Sequence, residues 1–142
     1  MELVSPFIIA GAAAWVSAQV LKYVILTIKG RKVNALKQLY LSGSMPSAHS
    51  ATVVAVLVVI GFQEGINSSI FGLALLFSAV VMYDAVMVRR SSGEQGESLT
   101  ALIKEQKSKV RLPRVARGHT PPEVVVGALL GWGIGLLVVY LA

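Results

Sequence analysis

The chain contains no cysteine and few charges of either sign, and both shortages narrow what it can be. Without cysteine there are no disulfides, no thiolate metal sites and no thiol nucleophile, and the redox compartment stays open. Charged residues make up 14% of the 142 positions, where a water-soluble domain carries roughly 25%. Hydrophobic residues make up 55%, and the mean hydropathy is +0.72. That balance excludes an ordinary water-soluble globular fold. Acidic residues are the scarcer sign, 7 against 13 basic, which leaves a net charge of +6 to be explained.

What is present is apolar and arranged in four runs: Pro6 to Ile28, broken only by Gln19 and Lys22; Ala48 to about Ile66; Ser69 to Val88; and Glu123 to Ala142. Each approaches the ~20 residues that a membrane-spanning helix needs. The expected fold is therefore all-α, a single domain over residues 1–142 built as a bundle of four transmembrane helices. The second run is the shortest, since its uninterrupted part, Ala51 to Phe62, covers only about 18 Å as a helix. Met1-Glu2-Leu3-Val4 has no basic character and the charges follow the first run, so that run reads as a retained span rather than a secretory signal.

Four spans place the connections 29–47 and 89–118 on one side of the membrane, and both termini with the 63–68 turn on the other. All 13 Lys and Arg fall on the first side, which has Lys22, Lys29, Arg31, Lys32 and Lys37 at one connection and the rest between Arg89 and Arg117. The other side carries only Glu2 and Glu64. By the positive-inside rule the basic face is cytoplasmic and the termini lie outside. Charge placed between spans suits phospholipid headgroups or phosphorylated substrates, not nucleic acid. Topology alone is a sufficient reason for most of these charges. Val33, Leu36 and Tyr40, and again Leu99, Leu102 and Ile103, fit short amphipathic interfacial helices as well as they fit solvated loop. At thirty residues, 89–118 is long for a loop, which points to a lid or binding role.

Three clusters on the basic face could do chemistry. In Gly43-Ser44-Met45-Pro46-Ser47-Ala48-His49-Ser50 a proline opens the second span among hydroxyls and a histidine, so the helix start with Ser47 or Ser50 could hold an anion; taken alone, a proline-initiated helix with serine capping and a passive histidine is the simpler reading. In Tyr83-Asp84-Ala85-Val86-Met87-Val88-Arg89-Arg90, an ionisable Asp84 within an apolar run should face the bundle and pair with an arginine or histidine. Arg89 and Arg90 fit either a phosphate clamp or a topological anchor. In Arg117-Gly118-His119-Thr120-Pro121-Pro122-Glu123, Glu123 lies four residues after His119 and could orient its imidazole; Thr120 to Glu123 also fits a capping box.

Two stripes of small residues accompany the clusters. Gly127, Gly131 and Gly135 continue by fours from Glu123 and invite close approach by another helix, in this chain or in a second copy. Ala10, Ala14 and Ala18 form the counterpart on the first span, and their continuation, Lys22, should point inward.

Pro46-Ser47-Ala48-His49, an arginine ending the next span, and His119-x-x-x-Glu123 opening the last resemble the superfamily of type 2 phosphatidic acid phosphatases and vanadium haloperoxidases. Gly-Ser-Met-Pro-Ser-Ala-His-Ser, Tyr-Asp-Ala-x-x-Val-Arg-Arg and Gly-His-Thr-Pro-x-Glu-Val look like its divergent bacterial and plastid branch, in order and over nearly the whole chain. The resemblance implies hydrolysis of a lipid phosphate monoester without metal or cofactor, through a phosphohistidine. His119 would be the nucleophile, Glu123 its orienting carboxylate and His49 the acid that protonates the leaving alcohol. Ser47, Lys22 and Arg89 or Arg90 would bind phosphate, with Asp84 behind them. The sequence departs from the superfamily in lacking the Lys-x6-Arg-Pro motif, in Ala48 for glycine, in Glu123 for aspartate and in the long gap between Arg90 and His119. The alternative is a non-catalytic membrane protein that binds anionic headgroups or phosphorylated metabolites in the same pocket.

Overall fold

The structure, a computed structural model, describes residues 5–30, 44–113, 115 and 118–142. Helix α1 is Pro6–Ile28, α2 Ala48–Gln63 and α3 Ser69–Tyr83; a π-helical turn, Asp84–Val88, leads directly into α4, Arg89–Glu105, and α5 is Pro121–Leu141. No strand occurs among the described residues. The starts follow local chemistry: proline occupies the first turn of α1 and α5, Ser47 and Ser68 cap α2 and α3, and Thr120 with Glu123 forms the expected capping box. Arg31 and the segment with Val33, Leu36 and Tyr40 lie outside the described residues.

Three helical stretches are long and apolar enough to cross a membrane: Pro6–Ile28, Ser69–Glu105 and Pro121–Leu141. The fourth, α2, has 16 residues, about 24 Å of helix against a hydrocarbon core of about 30 Å. Its position offsets its shortness, because α1, α3 and α5 all pack on it. Short side chains make that packing close. Ala10, Ala14 and Ala18 of α1 are fully buried with Ala51, Ala55 and Val59 of α2, and Lys22 lies on the same stripe, 4% exposed.

The glycine stripe of α5 meets α2 within the chain. A Cβ on Gly127 or Gly131 would fall on the carbonyl oxygen of Ser47 or Ala51, and one on Gly135 would strike Ala55 and Val58. Both sides advance by fours, so the two backbones run in contact for three turns. The expectation that this stripe could join a second copy is corrected: Gly127, Gly131 and Gly135 are buried against α2.

In the connection 89–118 the helical alternative holds at Leu99, Leu102 and Ile103, but the helix is longer than the short interfacial one expected. Up to Glu105 the connection is helix continuous with α3, a 37-residue stretch in all. Ser91, Ser92, Gly93 and Gly96 argue for a loop locally. An isolated helix of this composition would have to pay for its own nucleation; here α3 supplies the nucleus and each added residue only propagates it. Arg90 to Glu94 and Ser98 to the Glu94 carbonyl add bonds at i,i+4 spacing.

Candidate functional site

The helix ends place the three clusters together at the basic end of the bundle. Lys22 arrives on the buried stripe of α1, Ser47 and His49 at the start of α2, Asp84 and Arg89 at the end of α3, and His119 and Glu123 at the start of α5. Two backbone bonds tie these starts and ends. Ser47 N–H donates to the Glu123 carbonyl at 3.0 Å, and His119 N–H donates to the Ala85 carbonyl at 2.9 Å.

His119 is 3% exposed, and its Nδ1 lies 3.2 Å from Glu123 Oε2. A carboxylate only accepts, so Nδ1 carries the proton and Nε2 keeps its lone pair. The same Oε2 accepts Thr120 N–H at 3.0 Å. The two roles foreseen for Glu123, helix cap and histidine partner, are thus performed at once by one oxygen. Burial pulls the His119 pKa below the usual value of 6.5; the bond to Glu123 and its charge oppose this, while the charges of Lys22 and Arg89 add to it. Burial thus favours the neutral imidazole, and the bond to Glu123 orients it.

Around it, Lys22 is buried with no hydrogen-bond or ion-pair partner among the described residues, and Glu123 is the carboxylate whose charge acts on it. A buried ammonium without a direct partner is costly, and an anion bound beside it would offset that cost. Ser47 and Ser50 are fully buried; Ser50 Oγ donates to Ser47 Oγ at 3.0 Å. His49 is exposed at the rim, where the charges of Arg89, His119, Lys22 and Asp84 all act on it.

The two arginines separate. Arg89 Nε donates to Asp84 Oδ2 at 2.7 Å, and its charge reaches both histidines. Arg90 instead turns to Glu94 at 3.1 Å on the open face of α4, both side chains being largely exposed. Arg90 thus stands in a surface ion pair, apart from the Arg89–Asp84 contact, a consequence of where the helix carries it once the π turn has passed. Asp84 pairs with an arginine, one of the two partners its position called for.

Sequence reasoning missed the π turn, the Ala85 carbonyl and the role of Gly118. A Cβ on Gly118 would run into the backbone of Arg90, so glycine is what allows the His119 segment to lie against the end of α3. The five-residue spacing of Asp84 and Arg89 was the available signal, because an ordinary α-helix does not put such a pair face to face.

The model of a family described as "Divergent PAP2 family" matches residues 3–134. The chain is 32% identical over 156 aligned positions to the uncharacterized membrane protein YuiD of Bacillus subtilis (strain 168), covering 99% of this chain and 98% of that protein. No solved structure matches it. With its apolar helices, its ordered motifs and a match of this extent, the chain is a membrane protein that belongs to the divergent PAP2 family.

Proposed function

We propose that the protein is an integral membrane phosphatase that hydrolyses a lipid phosphate monoester through a phosphohistidine. One observation carries the reading: a buried, carboxylate-oriented imidazole stands beside a buried lysine that has no direct partner among the described residues, at the place where Ser47 and Arg89 also converge. Lys22, Arg89 and Ser47 hold the phosphate oxygens, with Lys22 doing part of what the missing Lys-x6-Arg-Pro motif does elsewhere in the superfamily. His119 Nε2 attacks phosphorus as the bond to the alcohol oxygen breaks, and His49 gives that oxygen a proton. Water, deprotonated by His49, then attacks the phosphohistidine, releasing inorganic phosphate and restoring the neutral imidazole.

An open apolar groove of about 580 Å³ on the outer face of the bundle supports a lipid substrate. Val54, Met82, Val124, Val125, Leu129 and Trp132 line it, beginning one residue beyond Glu123 and descending α5 into the apolar layer. A hydrocarbon tail fits there while its phosphate meets the basic end. The charge distribution supports a cytoplasmic site with both termini outside.

Phosphate release from phosphatidyl, lysophosphatidyl and polyprenyl phosphates by purified protein in detergent tests the reading. His119→Ala should reduce release to background, and His49→Ala should slow loss of the alcohol. Undiminished turnover in His119→Ala refutes the mechanism. Saturable binding of these lipids without any turnover would instead assign the pocket to a headgroup-binding protein.

A further inference from the structure

A π-helical turn interrupts a helix that is otherwise regular over 37 residues, and the chemistry above gives it no task. Such turns are rare, and they are frequent at functional sites. Here the consequence is a matter of register. In an uninterrupted α-helix, residue 89 would stand about 140° around the axis from residue 84. The widened turn returns it above residue 84 instead: Arg89 N–H donates to the Asp84 carbonyl, and Arg89 Nε donates to Asp84 Oδ2 at 2.7 Å. The next carbonyl, that of Ala85, receives His119 N–H at 2.9 Å, and Gly118 presses on the backbone of Arg90 just beyond the turn.

Both groups of the Asp84–Arg89 pair are more than a third exposed, at 36% and 39%. Pairs that open to solvent contribute little to stability, so a stabilising role does not account for the irregularity. Orientation does. A guanidinium gripped through Nε keeps its two terminal nitrogens, with four N–H groups, directed away from the grip in a rigid plane.

We propose that the π turn is a positioning device: Asp84 holds the Arg89 guanidinium toward the phosphate, and the Ala85 carbonyl ties the His119 segment to the same turn, so that cation and imidazole keep a set separation. Asp84 is thus a positioning residue, acting through Arg89. The inference rests on the reading of Arg89 as a phosphate ligand, but not on turnover.

The test is the affinity of the full chain in detergent for inorganic phosphate and for vanadate, measured by calorimetry for wild type, Asp84→Asn, Arg89→Ala and the double variant. Asp84→Asn should weaken binding about tenfold, the scale of one charge-assisted hydrogen bond. The double variant should bind no more weakly than Arg89→Ala alone, and Asp84→Glu should recover part of the loss. A structural role for Asp84 would lower the melting temperature and leave the two losses additive. Additive losses, or a wild type that binds neither anion, overturn the inference. Coupled binding without hydrolysis of any ester leaves it standing and removes the phosphatase reading; hydrolysis with additive losses does the reverse.

Discussion

The seam between α2 and α5 and the helix formed by α3 and α4 hold opposite sides of the same site by different physics. At the seam, glycines lie against backbone carbonyls for three turns, and the Ser47 N–H bond to Glu123 closes its upper end. Nothing there moves without moving a whole helix. On α3 the only buried side chain is Ser78, while Leu73, Leu76, Phe77 and Val80 are more than half exposed, as suits a surface covered by lipid. Its hold on the site comes from the Ala85 carbonyl and a half-open ion pair. The seam therefore sets His119, Glu123 and Ser47 relative to one another, and α3 delivers Arg89 by a few directional bonds that a small change can release.

The largest effect is expected from breaking the seam. Gly131→Val would drive a side chain into the Ala51 backbone and should cost at least the upper part of the usual overpacking range of about 1–3 kcal/mol. Thermal unfolding in detergent should show a collapse of stability, whereas Gly133→Ala, which faces open space, should be neutral or slightly stabilising. Equal stability of Gly131→Val and wild type would mean that the helices are not in backbone contact.

On the α3 side, Gly118→Ala should separate His119 from the π turn. Turnover should fall by tenfold or more with a smaller loss of stability than for Gly131→Val, because a loop can retreat where a helix seam cannot. A melting temperature as low as that of the seam variant would erase the distinction between the two regions.

Protonation offers a milder probe. The His119 pKa is lowered in the folded state, so the fold favours the neutral imidazole; that contribution is complete above about pH 6.5, the usual histidine value, and is lost as pH falls through the lowered one. Activity should therefore persist below pH 6.5 before declining, and His119→Asn should flatten the loss of stability in acid. Glu123→Gln removes the groups that oppose the shift and should move the acid limb of the residual activity lower still. An acid limb above pH 6.5 would contradict a neutral, buried His119.

The smallest effect belongs to the pair outside both regions. Glu94→Gln breaks an exposed i,i+4 contact with Arg90 and should change stability by less than about 1 kcal/mol, with phosphate affinity unaltered. A marked loss of affinity would place Arg90 among the phosphate ligands.

Much of this arrangement was legible because it is periodic. Ala10, Ala14, Ala18 and Lys22 recur by fours, and burial follows from that spacing alone; the same is true of Gly127, Gly131 and Gly135, although the partner they meet could not be read from the stripe. His119 and Glu123 were legible as a pair because one helical turn separates them. Arg89 and Arg90 were not separable, since adjacent residues on a chain acquire different duties only when a helix assigns them different faces. Helix α4 was obscured by its own serines and glycines, which favour loops until a preceding helix makes propagation cheap.

By itself the sequence determined the membrane class, the four apolar segments that become helices, the end of the bundle that gathers the charge, and the residue types there that could act on phosphate. These follow from hydropathy, period and charge, all carried by neighbouring residues. Tertiary structure alone decided that the glycine stripe is used inside the chain, that Arg89 pairs with Asp84 while Arg90 pairs with Glu94, and that a π turn sets the register of the first pair. Those outcomes depend on contacts between helices far apart in the chain and on hydrogen bonds that no local pattern encodes.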